Sequence, residues 1–234
     1  MEQFVLELAA PPAATFASFV AGDNGPALYA LRRIAGGALA HHAVYLWGPA
    51  GVGRTHLLHA VVTAAVAAQR TAHYIDAPLL ESSMQLGAEL IAIDNADRLS
   101  AAGEQAIFEW FNRSGPRHDS MLVAADRSPA ALAARDDVRS RLASGIVFEV
   151  LPLSDEEKFA AMQAYASARG LPPLDEVFRY LLVHAGRDMG TLISLIETLD
   201  RYTLSLKRPP TLPLVHQLLQ QLRIPNPVHG TDPV

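Results

Sequence analysis

Residues 44–59 read VYLWGPAGVGRTHLLH, and this stretch decides the fold. The apolar run at 43–47 has the make-up of a buried strand, the turn at 48–53 is rich in glycine, and a helix begins at about Arg54. Glycine at 48, 51 and 53 lets the backbone turn sharply and aim its N–H groups inward. Those donors, with the partial positive charge at the start of the helix, form a seat for a polyphosphate. The spacing, G-x-x-x-x-G followed by a cation and a hydroxyl residue, is that of a phosphate-binding loop, and Thr55 is placed to bind Mg2+ through its hydroxyl. Arg54 stands where the pattern has lysine. A planar fork replaces a point charge there, so the geometry toward the outer phosphates differs. The candidate phosphate-binding residues are Gly48, Pro49, Ala50, Gly51, Val52, Gly53, Arg54, Thr55 and His56.

A second motif supports the first. Residues 90–94, LIAID, read as a strand ending in a carboxylate, and Asp94 would hold the metal through water, facing Thr55. The next residue is Asn95, whose amide cannot accept a proton from an attacking water at neutral pH. Further apolar strands are expected at 72–76, 120–125 and 146–150, with a helix at 101–112 that carries Ala106, Ile107, Trp110 and Phe111 on one core-facing side. The segment DRSP at 126–129 is either a polar strand end aimed at the phosphates or a turn opening the next helix. Arg139 and Arg141, in the polar segment RDDVRSRL at 135–142, are either solvated surface arginines or include an arginine finger for a nucleotide on a neighbouring molecule.

From LPLS at 151–154 the strands stop. Ser154 and Glu157 have capping-box spacing and open a helix to about Ala168; further helices are expected at 174–185, 188–206 and 212–222, the third with Leu192, Leu195, Ile196 and Leu199 on one side. At the other end, MEQFVLEL passes into AAPPAA. Gln3, Leu6 and Leu8 resemble the Q-x-x-L-x-[L/F] peptide with which bacterial proteins dock on the replication sliding clamp, one amide and two aliphatic side chains for a surface pocket. The same residues also read as a short edge strand or a tail. Phe16 and Phe19 either pack on the domain or touch a base, and a helix is expected over 26–39.

Bulk properties narrow the field. The chain has 234 residues, half of them hydrophobic and 18% charged, as expected of a globular protein with an ample core. A net charge of −5 does not suit a sequence-independent DNA binder. With no cysteine, disulfides, thiolate metal sites and cysteine nucleophiles are excluded. No stretch has the roughly 18 uninterrupted apolar residues of a membrane span, and the N-terminus lacks the basic start of a secretory signal, so a cytoplasmic protein is expected. His56 and His59, one turn apart on the loop helix, have no third ligand in the pattern and read as surface or packing residues.

Taken in order, GPAGVGRTHLLHA, LIAIDNADRL, AADRSP, VRSRL and the trailing helices resemble the AAA+ family of the bacterial initiator DnaA over residues 16–222, and within it the short regulatory Hda group. The resemblance implies an α/β AAA+ P-loop NTPase fold: a five-stranded parallel sheet flanked by helices, then a small all-helical lid. It implies a clamp-binding peptide and linker at 1–14, a nucleotide-binding domain at 15–152, a lid at 153–222 and a tail at 223–234. Initiators continue past the lid into a helix-turn-helix DNA-binding domain, for which this tail is too short; sequence-specific DNA binding is therefore not expected.

By the same resemblance, Gln3, Phe4, Val5, Leu6 and Leu8 would bind the β sliding clamp of DNA polymerase III. Residues 48–56 with Asp94 would hold ADP or ATP, and Thr55 and Asp94 would hold Mg2+. Arg141 would be the finger reaching ATP bound on DnaA, with self-association of the chain able to hide or reveal it. The implied function is a replisome-associated regulator that, tethered to the DNA-loaded clamp, stimulates hydrolysis of DnaA-bound ATP and so prevents re-initiation, with weak or no ATPase of its own. A DnaA-binding adaptor without hydrolytic effect and an autonomous AAA+ ATPase remain the alternatives. At the lid position where the family usually has a phosphate-contacting arginine stands Gly190, with Arg187 three residues earlier.

Overall fold

Strand residues point alternately to opposite faces of a sheet, so a strand buried on both faces is apolar throughout. Three segments here meet that condition but for one polar end residue in each of the last two, Asp94 and Ser120: β1 (Ala43–Trp47), β3 (Leu90–Asp94) and β4 (Ser120–Ala125). The computed structural model describes residues 13–38, 43–81, 87–113, 119–185, 188–206 and 210–221, which divide into a unit ending at Pro152 and a unit beginning at Leu153. The peptide expected to bind the clamp, Gln3 to Leu8, lies outside the described residues, as do Arg187 and the tail.

In the first unit, β1, β3 and β4 form the middle of a five-stranded sheet whose edges are β2 (Ala72–Asp76) and β5 (Ile146–Glu149). The order is β2-β3-β4-β1-β5, and every pair is parallel. Helices α1 (Gly25–Ala35) and α2 (Arg54–Ala67) cover one face; Leu31, Ile34, Leu57, Leu58 and Val61 meet Val44, Leu46, Ala92 and Leu122 there. Helices α3 (Ala101–Arg113) and α4 (Asp136–Ala143) cover the other, where Ile107, Trp110, Val138 and Leu142 meet Tyr45, Ile93 and Val123. Burying each such aliphatic side chain contributes about 1.5–3 kcal/mol against its exposed state. Parallel pairing puts all the strand C-termini on one edge, where ligands bind in such sheets.

Two boundaries differ from the expectation. α1 stops at Ala35, not near 39, because the chain turns at Gly36 and Gly37, the latter at φ +73°. The polar run after DRSP folds as the helix α4; its i, i+4 pair Val138 and Leu142 is fully buried, the apolar signal that the four charged residues among its eight obscure.

The second unit contains α5 (Asp155–Ala168), α6 (Asp175–His184), α7 (Met189–Leu206) and α8 (Leu212–Gln221). Met162, Phe178, Leu181, Leu192, Leu195, Ile196, Leu199, Val215 and Leu218 form its core. The expected capping box is formed: Ser154 Oγ accepts from the Glu157 N–H at 3.1 Å, and Glu157 Oε2 accepts from the Ser154 N–H at 2.7 Å. Ser154→Ala is expected to destabilise this unit by about 1 kcal/mol, measured as a lower urea midpoint with an unchanged far-UV spectrum.

Candidate functional site

The loop between β1 and α2 has the shape the glycine spacing requires. A Cβ at Gly48 would lie 2.5 Å from the Val150 carbonyl oxygen, so only glycine lets the loop leave β1 beside the end of β5. Gly53 is at φ +96°, and a Cβ there would lie 2.8 Å from the Phe19 ring. Phe19 therefore packs on the loop itself, and Phe16 packs with it in the same apolar cluster. Gly53 caps α2 without a side-chain hydrogen bond, which leaves the first-turn N–H groups for an anion.

Asp94 stands at the end of β3 with only 2% of its surface exposed. Its Oδ2 accepts from Thr55 Oγ1 at 2.6 Å and from the Tyr74 hydroxyl at 3.0 Å, and its Oδ1 accepts from the Asn95 N–H at 2.9 Å. Burial first, and the Asp94 charge second, push the Tyr74 hydroxyl well above the ordinary phenol range, so it remains a donor at neutral pH. Thr55 and Asp94, the two residues expected to serve a metal, are thus in contact. Among the described residues no cluster of three or more His, Asp or Glu side chains could hold a metal alone. Thr55 and Asp94 would hold Mg2+ only with phosphate oxygens and waters filling the rest of its shell.

Arg54 lies on the first turn of α2 with its side chain 11% exposed, and its guanidinium pairs with the Asp126 carboxylate at the end of β4. The DRSP segment thus supplies a polar strand end at the loop, and its Pro129–Ala131 forms one 3-10 turn. The Asp126 N–H donates to Asp97 Oδ2 at 2.5 Å. Tyr45, buried beneath, donates its hydroxyl to the Arg127 carbonyl at 2.9 Å; burial raises its pKa.

Asn95 has left-handed backbone at φ 55°, and its Nδ2 donates to Asp76 Oδ1 at 2.8 Å. The amide is held toward β2. His56 is not turned to the loop: its Nε2 lies 2.9 Å from the Thr15 carbonyl oxygen and 3.3 Å from Ser18 Oγ, tying the segment before α1 to α2. His59 stacks on Tyr74 at 4.1 Å between ring centroids.

Arg141 projects from α4 onto α3. Its guanidinium sits 4.4 Å from the Phe108 ring centroid and 5.8 Å from that of Phe111, and Nη2 donates to Asn112 Oδ1 at 2.7 Å. Its side-chain partners among the described residues all belong to α3, so it does not serve the loop of its own chain. Phe108 and Asn112 were not singled out in the sequence; Phe108 is a fifth apolar residue on an amphipathic helix, which reads as core, and Asn112 reads as a polar residue near its end. Asp126 was legible there as the start of DRSP, with strand end and turn both open, and Asp76 only as the last residue of an expected strand; neither pattern named its partner.

Comparisons with known proteins follow this geometry. Residues 155–219 match the family model of the Hda lid domain, and residues 11–85 match that of the bacterial DnaA ATPase domain. Domain III of the Thermotoga maritima replication initiation protein DnaA superposes with a TM-score of 0.78 at 20% identity, covering 94% of this chain and 100% of that one. AMPPCP-bound DnaA from Aquifex aeolicus gives 0.68 at 22% identity, covering 85% of this chain and 71% of that one. The Thermotoga maritima RuvB Holliday junction branch migration motor gives 0.66 at 19% identity, covering 95% and 74%. These likenesses establish the AAA+ P-loop fold, a parallel sheet followed by a helical region.

Asn95→Glu is expected not to confer ATPase activity, because glutamate would meet Asp76 and occupy a left-handed backbone that costs it about 1–2 kcal/mol. Steady-state phosphate release by the purified variant checks this; turnover above wild type would count against the constraint.

Proposed function

We propose, from the premise that this chain belongs to the DnaA-homologous AAA+ family and carries an Hda-type lid, that it is a regulator of replication initiation acting on the initiator DnaA. Tethered to the DNA-loaded sliding clamp through Gln3, Phe4, Val5, Leu6 and Leu8, it presents Arg141 to ATP held on DnaA and accelerates hydrolysis to ADP. The observation that carries this reading is Arg141 itself, on α4, whose guanidinium is held by Phe108 and Asn112 of α3 and, among the described residues, by no acid. A guanidinium is charged at all physiological pH and offers a planar fork to phosphate oxygens. The charge that develops during phosphoryl transfer is what such a finger stabilises. Stacking on Phe108 and the Asn112 hydrogen bond limit its rotamers, so less entropy is lost when it engages.

The chain's own loop is assigned to an adenine nucleotide. The loop glycines, the open first turn of α2, Thr55 and Asp94 fit its phosphates and, with them, Mg2+. Bound nucleotide supplies charge and rigidity at that edge of the sheet, and Asn95, held by Asp76, leaves no carboxylate beside it to activate water. One half of the reaction centre therefore belongs to this chain and the other to DnaA.

The test is ATP hydrolysis in a mixture of ATP-loaded DnaA, DNA-loaded clamp and this protein, with each omitted in turn. Hydrolysis is expected to need all three. Arg141→Ala is expected to lower the stimulated rate by at least about 10³-fold, the usual scale for a finger, while clamp binding is retained. Replacing Gln3 and Leu6 together by alanine is expected to abolish clamp binding in a pull-down and leave the circular dichroism spectrum unchanged. Stimulation undiminished in Arg141→Ala would remove the finger assignment. Binding to DnaA without any hydrolysis would favour an adaptor instead.

A further inference from the structure

Side chains alternate along a strand, so Leu90, Ala92 and Asp94 of β3 share the face that α2 covers. On the edge strand β2, Tyr74 lies opposite Ala92, and its hydroxyl reaches Asp94 two positions further on. Asp76 lies opposite Asp94 itself. Two carboxylates thus end adjacent strands, and each takes its own side-chain donor from this edge. Asn95 Nδ2 goes to Asp76 at 2.8 Å and the Tyr74 hydroxyl goes to Asp94 at 3.0 Å. The Tyr74 ring is fixed in turn from α2. His59, one turn after Thr55, stacks on it with 4.1 Å between centroids and 22° between planes. Thr55, His59, Tyr74 and Asp94 therefore close a circuit across α2, β2 and β3.

The three donors on Asp94 differ in what they are free to do. A threonine hydroxyl keeps its hydrogen on the carboxylate while a lone pair of its oxygen serves a cation, so Thr55 fills both roles. The Asn95 N–H belongs to the next residue in the chain and holds Oδ1. The Tyr74 hydroxyl holds Oδ2 from a strand outside the loop. We propose that Tyr74 is a positioning residue for the metal: by fixing Oδ2 it sets the direction in which Asp94 meets Mg2+ through water, and it makes the site selective for Mg2+ over Ca2+. The proposal rests on the assignment of residues 48–56 and Asp94 to a nucleotide with Mg2+. Mg2+ demands near-ideal octahedral geometry, whereas Ca2+ accepts more oxygens in a flexible shell. A carboxylate that has lost its orientation therefore costs Mg2+ more than Ca2+. Outer partners that orient a metal-linked group usually contribute about 10–100-fold to metal affinity.

The test is calorimetric titration of ADP into the full chain, Tyr74→Phe and His59→Ala, each in EDTA, in Mg2+ and in Ca2+. The quantity read is the metal gain, the ratio of Kd in EDTA to Kd with the metal. The wild type is expected to gain more from Mg2+ than from Ca2+. Tyr74→Phe is expected to lower the Mg2+ gain about tenfold, with the Ca2+ gain and the Kd in EDTA within about twofold of wild type. His59→Ala leaves the hydroxyl but removes the support of its ring, and is expected to lower the Mg2+ gain about threefold. A role in folding alone would move the Kd in EDTA and both metal gains together. Equal losses for the two metals, or a Mg2+ gain within twofold of wild type in Tyr74→Phe, would overturn the positioning role and leave the loop standing. A wild type that binds ADP with no metal gain would overturn the metal assignment and the proposal with it. Absence of ADP binding by the wild type in all three conditions would overturn the loop reading itself.

Discussion

A carboxylate with 2% of its surface in contact with solvent is tolerable only when its oxygens are occupied by donors. Asp94 meets that requirement with Thr55 from α2, Tyr74 from β2 and the N–H of Asn95 from the turn after β3. One buried charge thus fastens the loop helix and an edge strand to the middle of the sheet. The rest of the site inherits its geometry from this arrangement: Asn95 is turned toward Asp76 by the same turn that aims its N–H at Asp94, and the Tyr74 hydroxyl that donates to Asp94 has its pKa raised by burial first and by the carboxylate second.

Around that point, charge is handled in opposite ways on the two faces of the first unit. At the loop, Arg54 is drawn in and paired with an acid, so its charge is neutralised from within. On α4, Arg141 is held by a ring face and an amide oxygen, neither of which carries a charge. A cation over an aromatic ring is stabilised by about 0.5–1 kcal/mol at an exposed site, enough to orient the guanidinium without cancelling it. This second arrangement leaves the charge of the guanidinium uncancelled.

The helical second unit is stabilised on its own terms. Its core draws on all four helices, and its entry is fastened by the Ser154–Glu157 capping box. Tyr165, Glu197 and Arg169 form a further polar link between α5, its C-terminus and α7, and burial first, with the Glu197 carboxylate second, raises the Tyr165 pKa. The helical unit is also the part of the chain that matches the Hda lid model.

Much of this was legible in the residues themselves. The glycine spacing at 48–53 and the aspartate ending LIAID are local in the chain, because a phosphate loop and a strand-end carboxylate are built from consecutive residues. The five strands, α3 and the lid helices showed through hydrophobic periodicity and the Ser154 cap for the same reason. What only the tertiary structure decided are the meetings of distant residues: Arg54 with Asp126, 72 positions apart, Asn95 with Asp76, and Arg141 with Phe108 and Asn112. Parallel pairing and strand order bring those side chains together, and no periodicity in the chain encodes which strand end lies beside which. The chain's own residues determined that a phosphate could be bound; the order of the strands decided which acid stands against the cation that would bind it.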